Sequence, residues 1–134
     1  MYRPVSAFGE LHAQATAGLA RAGLGGRAEE LVKFLSYGQR RQLELALALN
    51  SNPKVLLLDE PCAGLSPSER QRFSQLIKEL PPDITLIMIE HDIDIALALA
   101  DRVTVLHRGK VILDGTPAEV QTNPEVREVY FGRV

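Results

Sequence analysis

Two short apolar runs that each end in carboxylates constrain this chain more than any other feature. Val55-Leu56-Leu57-Leu58 leads into Asp59-Glu60, and Ile84 to Ile89 leads into Glu90-His91-Asp92. Short unbroken apolar runs without strict alternation fit strands buried on both faces, as in a parallel sheet covered by helices. Between the runs, Ser66-Pro67-Ser68-Glu69 combines an N-cap serine, a first-turn proline and a glutamate three residues after the cap. A helix is predicted from there to about Leu80, and a shorter one over Ile93 to Ala100. The order strand, helix, strand, helix argues for an α/β fold with parallel strands and right-handed crossovers.

The flanking segments are readable by the same signals. Leu11, Ala15, Leu19 and Ala22 recur at helical spacing within an Ala-rich stretch from Ala7 to Ala22, and Gly23-Leu24-Gly25-Gly26 stops it. A short helical turn is predicted over Ala28 to Phe34 and a longer helix over Gly38 to Leu49, with Leu43, Ala46, Leu47 and Asn50 on its apolar side. Asn52-Pro53 closes that helix, because proline lacks an amide hydrogen and disfavours helical geometry in the residue before it. Val103 to Leu106 and Val111 to Leu113 flank His107-Arg108-Gly109-Lys110 and predict a hairpin. Thr116-Pro117-Ala118-Glu119 repeats the helix-start signal, and Asn123-Pro124 opens a last short helix.

Composition narrows the partners. With 134 residues and 46% hydrophobic content the chain fits one ordinary globular domain. Fifteen basic against 17 acidic residues give a net charge of −2, which supplies no electrostatic footprint for nucleic acid. No apolar segment reaches the roughly 18 residues of a membrane span, and Met1-Tyr2-Arg3-Pro4 lacks the pattern of a secretory signal. The lone cysteine, Cys62, has no partner for an internal disulfide, which suits a reducing compartment. The expectation is a cytoplasmic chain that meets a membrane only through a partner protein.

Three features carry chemistry. Asp59 and Glu60 fall at the C-terminal edge of the predicted sheet, where open α/β folds bind ligands. One carboxylate there can hold a water-coordinated Mg²⁺ while its neighbour orients or deprotonates a water; acidic residues also simply end strands and enter solvated loops. His91 lies at the matching end of the second run and can donate to a phosphate oxygen on the same rim, or serve as an ordinary surface histidine. In Leu35-Ser36-Tyr37-Gly38-Gln39, a serine and a glycine just before a helix present a hydroxyl and backbone amides to an anion, or else cap the helix and nothing more.

Taken together and in this order, these pieces resemble the nucleotide-binding subunit of ABC transporters. The resemblance covers nearly the whole chain: Leu35 to Glu44, then Pro53, Val55 to Pro61, Ala63-Gly64-Leu65-Ser66, and Glu90-His91-Asp92. Tyr37, Ala63-Gly64-Leu65 and the ending Val126 to Gly132 are similar to the branched-chain amino-acid and urea importer branch. The resemblance implies that Ser36, Gly38 and Gln39 form the signature facing the γ-phosphate of an ATP held by a second ATPase subunit in a head-to-tail dimer. It further implies that Asp59 assists Mg²⁺, Glu60 acts on the hydrolytic water, His91 touches the γ-phosphate, and Ala63, Gly64, Leu65 and Ser66 form the loop linking the two sites across the dimer. Ser66 stands where many relatives carry aspartate, and Cys62 where threonine is common.

The family's P-loop, Gly-x-x-x-x-Gly-Lys-Ser/Thr, does not occur in these 134 residues; Gly23-Leu24-Gly25-Gly26 is followed by Arg27 and sits on a helix stop. The expectation is therefore a C-terminal portion of the cassette: residues 1–50 part of the helical signature subdomain, 51–134 the C-terminal part of the catalytic core, a partial P-loop NTPase fold whose mostly parallel sheet lacks the P-loop strand. The missing strand would leave a gap between the run ending at His91 and the strand at Val103, to be closed by a rearranged sheet or by an oligomer through exposed strand edges. The implied function is that of an ATP-hydrolysing importer subunit working with transmembrane permease subunits at the inner membrane face, with ATP and Mg²⁺ bound weakly or not at all by this chain alone. A non-catalytic module docking on a full-length subunit is the rival. The chromosome-maintenance and repair proteins that share the signature need coiled-coil arms or a basic face, and neither is present.

Overall fold

The computed structural model of the chain describes residues 8–131. Two compact units divide between Met88 and Ile89.

The first unit begins with helix α1 (Gly9–Arg21), so the expected start at Ala7 lies outside the described residues. Two single 3₁₀ turns, Gly25–Arg27 and Val32–Phe34, follow in place of one helical turn. Helix α2 (Tyr37–Leu49) packs against α1, then come strand β1 (Val55–Asp59), helix α3 (Pro67–Lys78) and strand β2 (Thr85–Ile89). β1 and β2 are hydrogen-bonded neighbours in a small parallel sheet, α3 forming the connection. The helix starts obey local chemistry: Ser36 and Ser66 each accept from the backbone amide three residues on, and Gln39 and Glu69 return the bond.

The faces differ from those expected. The buried stripe of α2 is Gly38, Gln42, Leu45 and Ala46, whereas Leu47 is 66% exposed. The helix is thus rotated from the side marked by Leu43, Ala46, Leu47 and Asn50, because Gly38 and Gln42 turn inward although neither is a hydrophobe. Along β1 only Leu56 is fully buried; Val55 and Leu57 stand exposed, as does Ile87 of β2. The two-stranded sheet therefore has one covered and one open face here, not two covered ones. The buried set of this unit comprises Ala22, Leu24, Leu35, Leu45, Ala46, Leu56, Cys62, Leu65, Phe73 and Ile77.

The second unit holds helix α4 (Ile93–Leu99), the hairpin β3 (Val103–His107) and β4 (Lys110–Gly115), and helices α5 (Pro117–Thr122) and α6 (Pro124–Val126), the last continuing into one π-helical turn, Arg127–Phe131. The two hairpin strands are antiparallel, with His107 opposite Lys110 and Val105 opposite Leu113. Arg108 and Gly109 carry φ of 46° and 75°, the pair of left-handed conformations that a tight two-residue hairpin turn demands. Val105, Val120 and Val126 form the core, with Ile93, Leu97, Val103, Ile112 and Leu113 packed on it. Tyr130 ties the chain end to the hairpin, its hydroxyl donating to the Leu106 carbonyl at 2.6 Å. The hairpin strands form a two-stranded sheet of their own.

Carboxylates give this unit a pH dependence. Arg102 grips Asp114 with two bonds of 2.9 and 2.8 Å and holds its carboxyl below the usual range. The Thr116 amide and hydroxyl do the same for Glu119. A carboxyl whose pKa is depressed in the folded state contributes stability above its unfolded pKa and loses it as pH falls through the folded value. The thermal midpoint is therefore expected to be level from neutrality down to about pH 5 and to fall below about pH 4. Asp114→Asn combined with Glu119→Gln should flatten that fall in melting curves taken across pH; an unchanged slope in the double variant would refute the assignment.

Candidate functional site

The loop before α2 is built around one serine. Ser36 has extended backbone geometry; its Oγ accepts from the Gln39 amide at 3.2 Å and its amide donates to Gln39 Oε1 at 2.8 Å. Ser36 and Tyr37 are exposed, Gly38 is buried and Gln39 half-buried. Tyr37 is braced by Arg41, whose Nε donates to the phenol oxygen at 3.2 Å and whose guanidinium stacks 5.4 Å from the ring centre.

The second part stands at the end of β1. Asp59 is the last strand residue and Glu60 the first beyond it, both exposed. Glu60 has φ of 43°, a left-handed conformation that a glutamate seldom adopts. Such strain costs of order 1 kcal/mol and persists where the surroundings over-determine it, which happens most often at functional sites. From there the chain turns through Ala63, Gly64 (φ 73°) and the buried Leu65 to Ser66, the cap of α3.

These two parts meet through Glu69. Its Oε2 accepts from the Ser66 amide at 3.0 Å and from Ser66 Oγ at 2.7 Å, while Oε1 accepts from Ser36 Oγ at 3.3 Å. Gly38 lies directly against the same side chain, where an added Cβ would come 2.6 Å from the Glu69 carboxyl carbon. Hydrogen bonding from Ser66 in the first place, and then from Ser36 and Gly38, holds the Glu69 carboxyl below the usual range. Sequence reasoning marked Glu69 only as half of a capping box. Its second attachment spans 33 residues, and no local signal announces it.

Of the sequence-marked residues, Ser36, Gly38 and Ser66 are thus joined through Glu69, with Gln39 tied to them by the Ser36 capping box, and Asp59, Glu60, Ala63, Gly64 and Leu65 precede Ser66 on the same unit. His91 is exposed and belongs to the second unit, where Asp92 caps α4 by accepting from the Ile95 amide. Among the described residues no group of three or more metal-ligating side chains converges. Asp59 is an exposed carboxylate, an oxygen donor of the kind that can hold a hydrated Mg²⁺ together with substrate phosphates. The cavity of about 210 Å³ lined by Arg21, Leu45, Asn52, Lys54 and Asp83 lies at the opposite end of β1 from Asp59 and Glu60.

Comparison with known proteins bears on the family. The family model described as "ABC transporter" matches residues 4–63, and the one described as "Branched-chain amino acid ATP-binding cassette transporter" matches residues 110–134. The high-affinity branched-chain amino acid transport ATP-binding protein LivG of Salmonella typhimurium is 39% identical over 116 residues, covering 85% of this chain and 46% of LivG. BraF of Pseudomonas aeruginosa, of the same description, is 39% identical over 100 residues, covering 73% of this chain and 39% of BraF. Among solved structures, MJ1267, an ATP-binding cassette of an ABC transporter in its ADP conformation, superposes with a TM-score of 0.79 at 32% identity over 90% of this chain and 50% of its own. The chain spans about half the length of the relatives it matches. No helix among the described residues is long and apolar enough to cross a membrane. With these likenesses along most of its length, the chain belongs to the ABC transporter ATP-binding cassette family and is similar to its branched-chain amino-acid branch.

Proposed function

We propose that this chain supplies the signature half-site and the water-activating carboxylate of an ATP-hydrolysing subunit in a branched-chain amino-acid importer. The observation that carries the reading is the pairing, on one unit, of the Ser36–Gln39 loop at the head of α2 with Asp59-Glu60 at the end of β1, the latter strained at Glu60. In this reading Ser36, Gly38 and Gln39 cover the γ-phosphate of an ATP held by a second subunit. Asp59 assists Mg²⁺, Glu60 orients or deprotonates the attacking water, and His91 contacts the γ-phosphate. Ala63 to Ser66 reach across the dimer, and permease subunits at the inner membrane face receive the work.

Nucleotide contacts of this family depend on a glycine-rich loop whose amides and lysine hold the β- and γ-phosphates, and the 134 residues contain no such string. The chain by itself is therefore expected to bind MgATP no tighter than about millimolar, since a lone signature face offers only a few donors against the cost of association. Isothermal titration of the 134-residue chain with MgATP, alongside a phosphate-release assay, tests this. Micromolar binding with steady release would overturn it.

A further inference from the structure

Glu69 stands where two loops of the first unit meet. As the partner of Ser66 it closes the capping box of α3, and in an ordinary box the glutamate serves its own helix alone. Here its other oxygen reaches the start of α2 and takes the Ser36 hydroxyl, and the side chain packs against Gly38. The approach is close enough that a Cβ built on Gly38 would lie 2.6 Å from the Glu69 carboxyl carbon and 2.9 Å from its Cγ. Only glycine at position 38 leaves room for this carboxylate. A second contact joins the same two loops independently: the Tyr37 ring lies over Gly64, where an added Cβ would come within 3.3 Å of the ring. Arg41 holds that ring in place from α2.

We propose that Glu69 is a positioning residue that fixes the Ser36–Gln39 loop to the Ala63–Ser66 loop, so that the two move as one piece. The carboxylate suits the task because its two oxygens can each serve a different loop: Oε2 takes the amide and hydroxyl of Ser66, and Oε1 takes the hydroxyl of Ser36. The bearing on nucleotide rests on the ATP reading above. Ser36 and Gly38 then face an ATP on the second subunit, while Ala63 to Ser66 lead directly from the Asp59-Glu60 strand end that serves the other ATP. Energetic coupling between separate sites travels through contiguous contacts, and the Glu69 carboxylate supplies the polar one of the two contacts that join these loops.

Glu69→Gln separates the joint from the cap. Glutamine closes a capping box as well as glutamate does, but its single carbonyl oxygen cannot serve both helices, and its NH₂ group would face the Ser36 hydroxyl and the Gly38 amide. Amide hydrogen exchange on the 134-residue chain, without nucleotide, reads the result. In Glu69→Gln the amides of Gly38 and Gln39 are expected to exchange about fivefold faster or more, with those of Arg72 to Lys78 unchanged. Gly38→Ala, which keeps Glu69 but pushes its carboxylate aside, should speed the same amides. Unchanged protection at Gly38 and Gln39 in Glu69→Gln, or acceleration confined to the first turn of α3, would reduce Glu69 to a helix cap and overturn the proposal. Because no nucleotide enters the measurement, that failure is separate from a failure of the ATP reading.

Discussion

Glu60→Gln, placed in a full-length subunit of the transporter, is expected to lower ATP turnover by about 10²–10⁴-fold, the contribution typical of a positioned general base. Nucleotide affinity should stay within a few-fold of the parent, because glutamine keeps the size of the side chain and the reading gives Glu60 the water and not the phosphates. Asp59→Asn, by contrast, should weaken the dependence on Mg²⁺ itself, since its assigned role is to steady the ion. Phosphate release under saturating MgATP, with equilibrium binding measured in parallel, separates the two. Turnover in Glu60→Gln at more than a tenth of the parent rate would remove Glu60 from the chemistry and leave its strained backbone unexplained.

The second large effect is structural and falls on the other unit. Val120 is wholly buried between Val105 and Val126. Val120→Asp would place a carboxylate among side chains that offer it no donor or cation, and an unpaired buried charge costs at least about 3–5 kcal/mol. A sum of that order approaches the whole stability of a small unit, so the hairpin and the α5 segment should lose ordered structure. Val120→Ala should cost about 1–3 kcal/mol, the range of a small cavity, and leave the fold intact. Urea titrations followed at Tyr130, whose hydroxyl is bound to the Leu106 carbonyl, report on this unit. A Val120→Asp chain as resistant to urea as Val120→Ala would refute the core assignment.

How far the fold was legible follows the range of the forces involved. The starts of α3 and α5 were readable because a capping box is closed within four residues, and both boxes form as the serine or threonine, proline and glutamate predict. The hairpin was readable for the same reason, its turn needing only Arg108 and Gly109 to adopt positive φ. Which face of an element is covered depends on neighbours far along the chain, and there the sequence misled: Leu57 is as apolar as Leu56 but 70% exposed, and Gln42 is buried although polar. In the candidate site, Ser36, Gly38, Asp59 and Glu60 stood out by their order along the chain. Glu69's link to Ser36 did not, because a long-range bond leaves no periodic trace. Nor did the left-handed backbone at Glu60, for sequence preference at such a φ would name glycine or asparagine.

That last residue sets two selective pressures against each other. At φ of 43° a glycine would sit without strain, so any search that ranks variants of this chain by heat resistance alone has reason to favour Glu60→Gly. A catalogue of stabilised variants would then be enriched at the very position where the carboxylate serves the proposed chemistry, a stability–activity trade-off written into one backbone angle. Position 60 should therefore be held fixed whenever the chain is made sturdier.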